Sequence, residues 1–167
     1  YMVKITNESS VYTRLNTLAN YYDERYENIV VKDDKGNTLT TSSDRYNQNG
    51  LRRINIQTSN YLIAPGETKD LYITYQLNNE AINSILNEQL TLDSVTEVAS
   101  YSSYSDANGR TPYAGIDVDS APDTIQPKNV DGKINITDTI EDDTDKAPSL
   151  VLNVKEGRVI EGTVWED

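Results

Sequence analysis

The sequence predicts an all-β protein, an antiparallel β-sandwich with one short helix and a long acidic loop region. Three observations carry that expectation. Aliphatic residues alternate with polar ones over several short runs, the period of a strand with one wet face. Turn-forming pairs recur at intervals of roughly ten residues, the spacing of sandwiches and barrels. Val, Ile, Thr and Tyr dominate the alternating runs, as suits a pleated, half-buried surface.

Taken in chain order, Val3 and Ile5 alternate with Met2, Lys4 and Thr6 and open the series. Residues Leu18 to Tyr26 allow two readings, a helix with Tyr21, Tyr22 and Tyr26 on one face or a strand edge. Ile54 and Ile56 mark the next strand, and Leu71, Ile73, Tyr75 and Leu77 alternate with Tyr72, Thr74 and Gln76. The segment Asn79 to Glu88 departs from this period, because Ile82, Ile85 and Leu86 stand at i, i+3 and i+4 behind an Asn able to cap. It predicts a short helix lidding one end of the sandwich. Ile134 and Ile136, then Leu150, Leu152 and Val154, return to strand spacing. Between these lie Asp34-Lys35-Gly36-Asn37, Asn49-Gly50, Pro65-Gly66, Asn108-Gly109 and Asp131-Gly132, all turn chemistry.

Composition narrows the function. The 167 residues suit one domain with a real core. With 15 Lys+Arg against 27 Asp+Glu, the net charge of −12 excludes binding to nucleic acid through its phosphates. His and Cys are both absent, so no Ser–His–Asp triad, Cys nucleophile, disulfide or imidazole–thiolate zinc site can form. No apolar run approaches 18 residues, so no membrane insertion is expected in this fragment, and no leader peptide is recognisable in it. Twelve Tyr and one Trp supply every aromatic ring, each with a polar handle. Paired carboxylates alone could hydrolyse a glycosidic bond, but the acids here gather in Pro/Gly-rich loops, and nothing in the sequence marks one for burial and a raised pKa. Tyr21, Tyr22, Tyr26, Tyr101 and Tyr104 could stack on sugar rings or a peptide, or could fill sandwich edges.

Residues 102–148 hold four of the five prolines, and from Asp117 to Asp145 there are nine acidic residues and two lysines. One reading is a solvated loop that keeps a surface protein soluble. The other is a structural Ca²⁺ site built from Asp117, Asp119, Glu141, Asp142, Asp143 and Asp145. Ca²⁺ takes six to eight oxygen ligands, and two separated acidic clusters can supply that number when the fold brings them together. EF-hand spacing is absent.

Several motifs resemble known surface-protein repeats. Tyr1-Met2-Val3-Lys4-Ile5-Thr6-Asn7, Ala64-Pro65-Gly66-Glu67-Thr68 and Val95-Thr96-Glu97-Val98-Ala99 resemble the first strand, the late turn and the Asn-Val-Ala strand of DUF11-type Ig-like repeats of Gram-positive cell-wall proteins. Glu97 stands where that family usually has Asn. Residues 113–122 and 141–145 resemble the acidic end of longer, clostridial-like versions. Ile160-Glu161-Gly162-Thr163-Val164-Trp165-Glu166-Asp167 is similar to the opening strand of a Cna-B/SdrD-B-like domain. The resemblance implies an Ig-like sandwich over residues 1–156, with 157–167 a linker and first strand of a following domain; a final strand with Trp165 in the first core is the other reading.

The same families join Lys to Asn in an isopeptide bond, and the matching positions here are Lys4 and Asn153, with Glu97 as the acid. Strand parity opposes this: Lys4 stands opposite Val3 and Ile5, and Asn153 opposite Leu152 and Val154, so both groups should face water. The expected function is a non-enzymatic stalk or spacer in a tandem-repeat surface adhesin, secreted and held at the bacterial cell wall. The alternative is an adhesin module that binds a host glycan or extracellular-matrix protein. Expected partners are neighbouring domains of the same chain, and the fragment itself is expected to be monomeric.

Overall fold

The protein is described by a computed structural model covering residues 1–85, 90–114, 122–136 and 144–152. Ten strands and one helix follow in order: β1 (Met2–Thr6), β2 (Tyr12–Asp23), β3 (Tyr26–Asp33), β4 (Thr41–Gln48), β5 (Leu51–Ile63), β6 (Thr68–Leu77), α1 (Asn79–Ile85), β7 (Leu90–Tyr104), β8 (Lys128–Val130), β9 (Lys133–Asn135) and β10 (Thr144–Leu152). They form a three-stranded sheet, β1-β6-β3, a five-stranded sheet, β10-β7-β2-β5-β4, and a small β8-β9 hairpin. Every pairing is antiparallel. The all-β sandwich is therefore the fold.

The two larger sheets close on one apolar core. Val3, Val31, Leu71 and Ile73 from the small sheet meet Leu15, Leu18, Tyr22, Ile54, Ile56, Ile63 and Leu92 from the large one. At one end this core turns polar around Tyr75. Its hydroxyl donates to Asn20 Oδ1 at 2.9 Å and lies 2.7 Å from Ser94 Oγ, while its ring stacks on Tyr26 at 4.6 Å. Tyrosine serves where phenylalanine is missing, and the Tyr21, Tyr26 and Tyr75 hydroxyls each find a partner.

The sheet orders match the immunoglobulin arrangement, in which strands A-B-E-D face C-F-G. Here β7-β2-β5-β4 and β3-β6-β1 occupy those places, so β7 stands in the position of A and β1 in the position of G. The connectivity is permuted relative to that arrangement, and β10 adds a strand beside β7. One consequence concerns the ends of the fold. The Tyr1 hydroxyl donates to Ser94 O, near the start of β7, and Leu150 and Leu152 of β10 pair with Leu92 and Leu90. The first strand thus starts level with the middle of β6 and runs away from the end that holds the β2–β3 turn, and the last described strand runs towards that end.

One open alternative is settled and one expectation is corrected. Leu18 to Tyr26 is strand, with Asp23 closing β2 and Tyr26 opening β3. Tyr21 and Tyr22 face opposite sides of the large sheet, which a helix face would not allow. The helix does form, and Asn78 Oδ1 caps it by accepting the Ala81 N–H at 2.9 Å. Among its described side chains the buried one is Ala81, however, and Ile82 is 48% exposed. Asn78 also bonds to Arg25 O and Glu24 O, and these contacts fix the helix against the β2–β3 turn. Residues 86–89, including Leu86, lie outside the described residues.

Candidate functional site

The outer face of the large sheet carries the most unusual chemistry. On β2, all six residues from Leu18 to Asp23 are buried, and on β7 all six from Leu92 to Glu97 are buried. A strand buried without alternation is covered on both faces. The cover is the segment 122–136, which contains the β8-β9 hairpin and inserts Ile125 and Ile134 against Ala19, Tyr21, Leu51 and Val95.

Three buried carboxylates hold that segment in place. Asp93 Oδ2 accepts the Ile134 N–H at 3.0 Å, and the Asp93 N–H donates to Gly132 O at 2.8 Å. Asp23, 1% exposed, accepts from Arg25 Nε and Nη2 and from Asn129 Nδ2 at 2.8 Å. Burial alone would raise the Asp23 carboxyl, but the hydrogen bonds from Arg25 and Asn129 and the Arg25 charge outweigh it and hold it below the usual range. Glu97 is also 1% exposed and is placed differently. Its Oε1 accepts from the Tyr21 hydroxyl at 3.1 Å and its Oε2 from the Ile125 N–H at 3.3 Å. Arg53 lies in the same cluster, but its Nη2 is 2.7 Å from Asp123 Oδ1 and its Nε donates to Asn55 Oδ1 at 3.1 Å. Burial therefore dominates and pushes the Glu97 carboxyl up to about 7; the Asp123 charge adds to this, and the two hydrogen bonds and Arg53 only partly oppose it.

Such a carboxyl has the protonation range of a general acid. Its burial and its two engaged oxygens make it a group that docks the covering segment. Tyr46 completes the cluster, its ring edge-on to Tyr21 at 5.2 Å and its hydroxyl donating to Pro127 O at 2.9 Å.

The residues singled out in the sequence fall apart in space. Lys4 lies on the outer face of the small sheet, where its Nζ is 3.1 and 3.3 Å from the Asp70 carboxylate, its direct cross-strand neighbour. Glu97 lies on the outer face of the large sheet, so both sheets separate the two. Glu97 is thus not placed to act as an acid for Lys4, and Asn153 lies outside the described residues. Of the six calcium candidates, Asp117, Asp119, Glu141, Asp142 and Asp143 also lie outside them; Asp145 is exposed on β10, opposite Thr96. Among the described residues, no group of three or more acidic side chains could hold a metal ion. Tyr21, Tyr22 and Tyr26 are buried and cannot stack on a ligand, and Tyr104 carries Arg14 over its ring at 5.0 Å.

Sequence reasoning missed Asp23 and Asp93. The available signal was in residues 90–99, where Leu92, Ser94, Thr96 and Val98 on one parity face Asp93, Val95, Glu97 and Ala99 on the other. Neither parity is wholly polar, as expected of a strand with no wet face.

The far end of the sandwich, opposite Tyr1 and Leu152, is built from the connections 7–11, 34–40, 64–67 and 105–111. Side chains lock these loops to their own backbone. Asn7, itself buried, donates from Nδ2 to Val11 O and Ile63 O, both at 2.8 Å. Asp33 accepts from the Lys35 and Asn37 N–H groups, and Glu67 from the Ala64 N–H. Asp106 accepts from the Thr111, Asn108 and Arg110 N–H groups, with the Thr111 bond foremost in drawing its carboxyl down to about 2.

Comparison with protein-family models, curated proteins and solved structures finds no match to this chain. The likeness to DUF11-type and Cna-B repeats therefore rests on the motifs themselves. No helix among the described residues is long and apolar enough to cross a membrane.

Proposed function

We propose that this chain is a non-enzymatic module of an extracellular bacterial surface protein that is tethered at one end and binds a partner through the loops at the other. The observation that carries this reading is the direction of the first and last described strands: β1 runs away from the end of the sandwich that holds the β2–β3 turn, and β10 runs towards it. A linear spacer is served by first and last strands that run the same way along its long axis. Strands that run opposite ways suit a module held from one side with the opposite loops free. The locked loops at that end suit recognition, because loops held by a rigid sandwich lose little entropy on binding. The cell-surface setting rests on the motif resemblance alone. Between the two roles that resemblance allows, binding a host glycan or matrix protein fits the chain path better than spacing.

The test is solid-phase binding to a panel of host glycans and extracellular-matrix proteins. Binding should be lost in the double variant Lys35→Glu, Arg110→Glu at the loop end and kept in Glu27→Lys at the opposite end. A panel with no binding, or binding insensitive to the loop-end variant, would return the module to a spacer role.

A further inference from the structure

The segment 122–136 is fastened to the large sheet by groups of opposite character. At the hairpin, Asp23 is neutralised by Arg25 and Asp93 holds a backbone N–H. At the other end, Glu97 forms no ion pair among the described residues, although it is as buried as Asp23. The described elements packed around it bring no charge that compensates it. Strand β2 presents the Tyr21 hydroxyl, and β5 presents Arg53, which is engaged with Asp123 and Asp44. Strand β4 presents Asp44 and Tyr46, and the covering segment presents Asp123 and the Ile125 N–H. On β10, Thr144 stands opposite Glu97 with Asp145 next along, and the Lys146 ammonium donates to Ile134 O at 3.0 Å. The acids in this shell offset its cations. An ionised carboxyl buried without a cation is costly, and the system lowers that cost by taking up a proton or by readmitting water.

We propose that protonation of Glu97 governs the docking of residues 122–136 on the large sheet, the segment being held firmly when the carboxyl is neutral and loosened when it is ionised. The readmitted water must come to Glu97, and the atom covering its Oε2 is the Ile125 nitrogen of that segment. Undocking is therefore the motion that relieves the charge. The sign follows from linkage. The carboxyl titrates near 7 when docked and near its ordinary 4.5 when released. Docking is then at full strength below about pH 4.5, weakens as pH rises, and levels off beyond 7. Asp23 cannot produce this trend, since its lowered carboxyl weakens the structure only towards acid.

The experiment follows the Glu97 carboxyl by carbon NMR and the Ile125 amide by hydrogen exchange corrected for intrinsic rate. The midpoint should fall near 7, and the opening that exposes Ile125 should rise roughly seventyfold between pH 5 and 8 for that pair of midpoints. Amides in the inter-sheet core, such as Ile56, should show no comparable change. Glu97→Gln should remove the pH dependence. If that variant does not fold, Tyr21→Phe serves, since losing a donor to the ionised form should move the wild-type midpoint upward. A midpoint below 5, an Ile125 protection that does not vary with pH, or a Tyr21→Phe midpoint that stays in place would each overturn the proposal.

Discussion

Where residues 122–136 cover it, the outer face of the large sheet is as buried as the inner face, but it is held differently. The inner face meets the small sheet through Leu18, Ile54, Ile56 and Leu92, and its packing is mainly apolar contact. The outer face buries Tyr21, Val95, Ile125 and Ile134, yet its cover is located by Asp23, Asp93 and Glu97 through specific hydrogen bonds. Apolar contact is non-directional and tolerates small shifts, whereas a buried carboxylate stays satisfied only while its donors stay in place. The inner face therefore supplies stability, and the outer face supplies a defined position for a segment that has only two short strands of its own.

The largest effect should come from truncating that contrast directly. Ile56 and Ile134 are both 0% exposed. Ile56→Ala should cost about 2–5 kcal/mol of global stability by denaturant unfolding. Ile134→Ala should instead act locally, with protection lost from the amides of β8 and β9 while the global midpoint moves much less. Equal losses of global stability in the two variants would mean that the cover is as integral as the core.

Gly132 sharpens the comparison at a single atom. Asp131 and Gly132 both have positive φ, 51° and 84°, in the tight turn of the β8-β9 hairpin. A Cβ on Gly132 would stand 2.7 Å from Thr91 O and 2.7 Å from Leu92 Cδ2. Gly132→Ala should lose about 1–3 kcal/mol from backbone strain and overpacking together, again as faster exchange in the hairpin. Gly50 shares the positive φ, but its added Cβ would meet only the movable Glu24 side chain, so Gly50→Ala is the control for strain without a backbone clash.

The smallest effect belongs to the outer face of the small sheet, which nothing among the described residues covers. Lys4→Ala breaks an ion pair whose lysine side chain is 59% exposed, and melts should change by less than about 1 kcal/mol. The intact mass of the wild-type protein should equal that of the sequence. A deficit of one ammonia mapped to Lys4 would mean that this side chain is covalently engaged and not simply solvated.

Much of the sandwich was legible in the sequence alone. The alternation at 71–77 became β6, whose burial alternates as its residues do, because that strand has one covered face and one wet one. Asn49-Gly50 became the two-residue turn between β4 and β5, since both positions need positive φ and Asn and Gly adopt it most readily. A helix start capped by an Asn, and the outward side chain of Lys4 beside the inward Val3, also followed from local chemistry and parity, although the cap is Asn78, one residue ahead of the expected segment. What only the tertiary structure decided was long-range. Parity cannot tell that a strand is covered twice, so the burial of Tyr21 and Glu97 on the outer face was decided by residues 122–136, about 28 positions beyond Glu97 and about 100 beyond Tyr21. The place of β1 beside β6, about 70 residues on, likewise depends on which sheet edge remains open once the rest has paired. That choice makes β1 run opposite to β10, and it turns on the packing of whole sheets, which no local run of residues encodes.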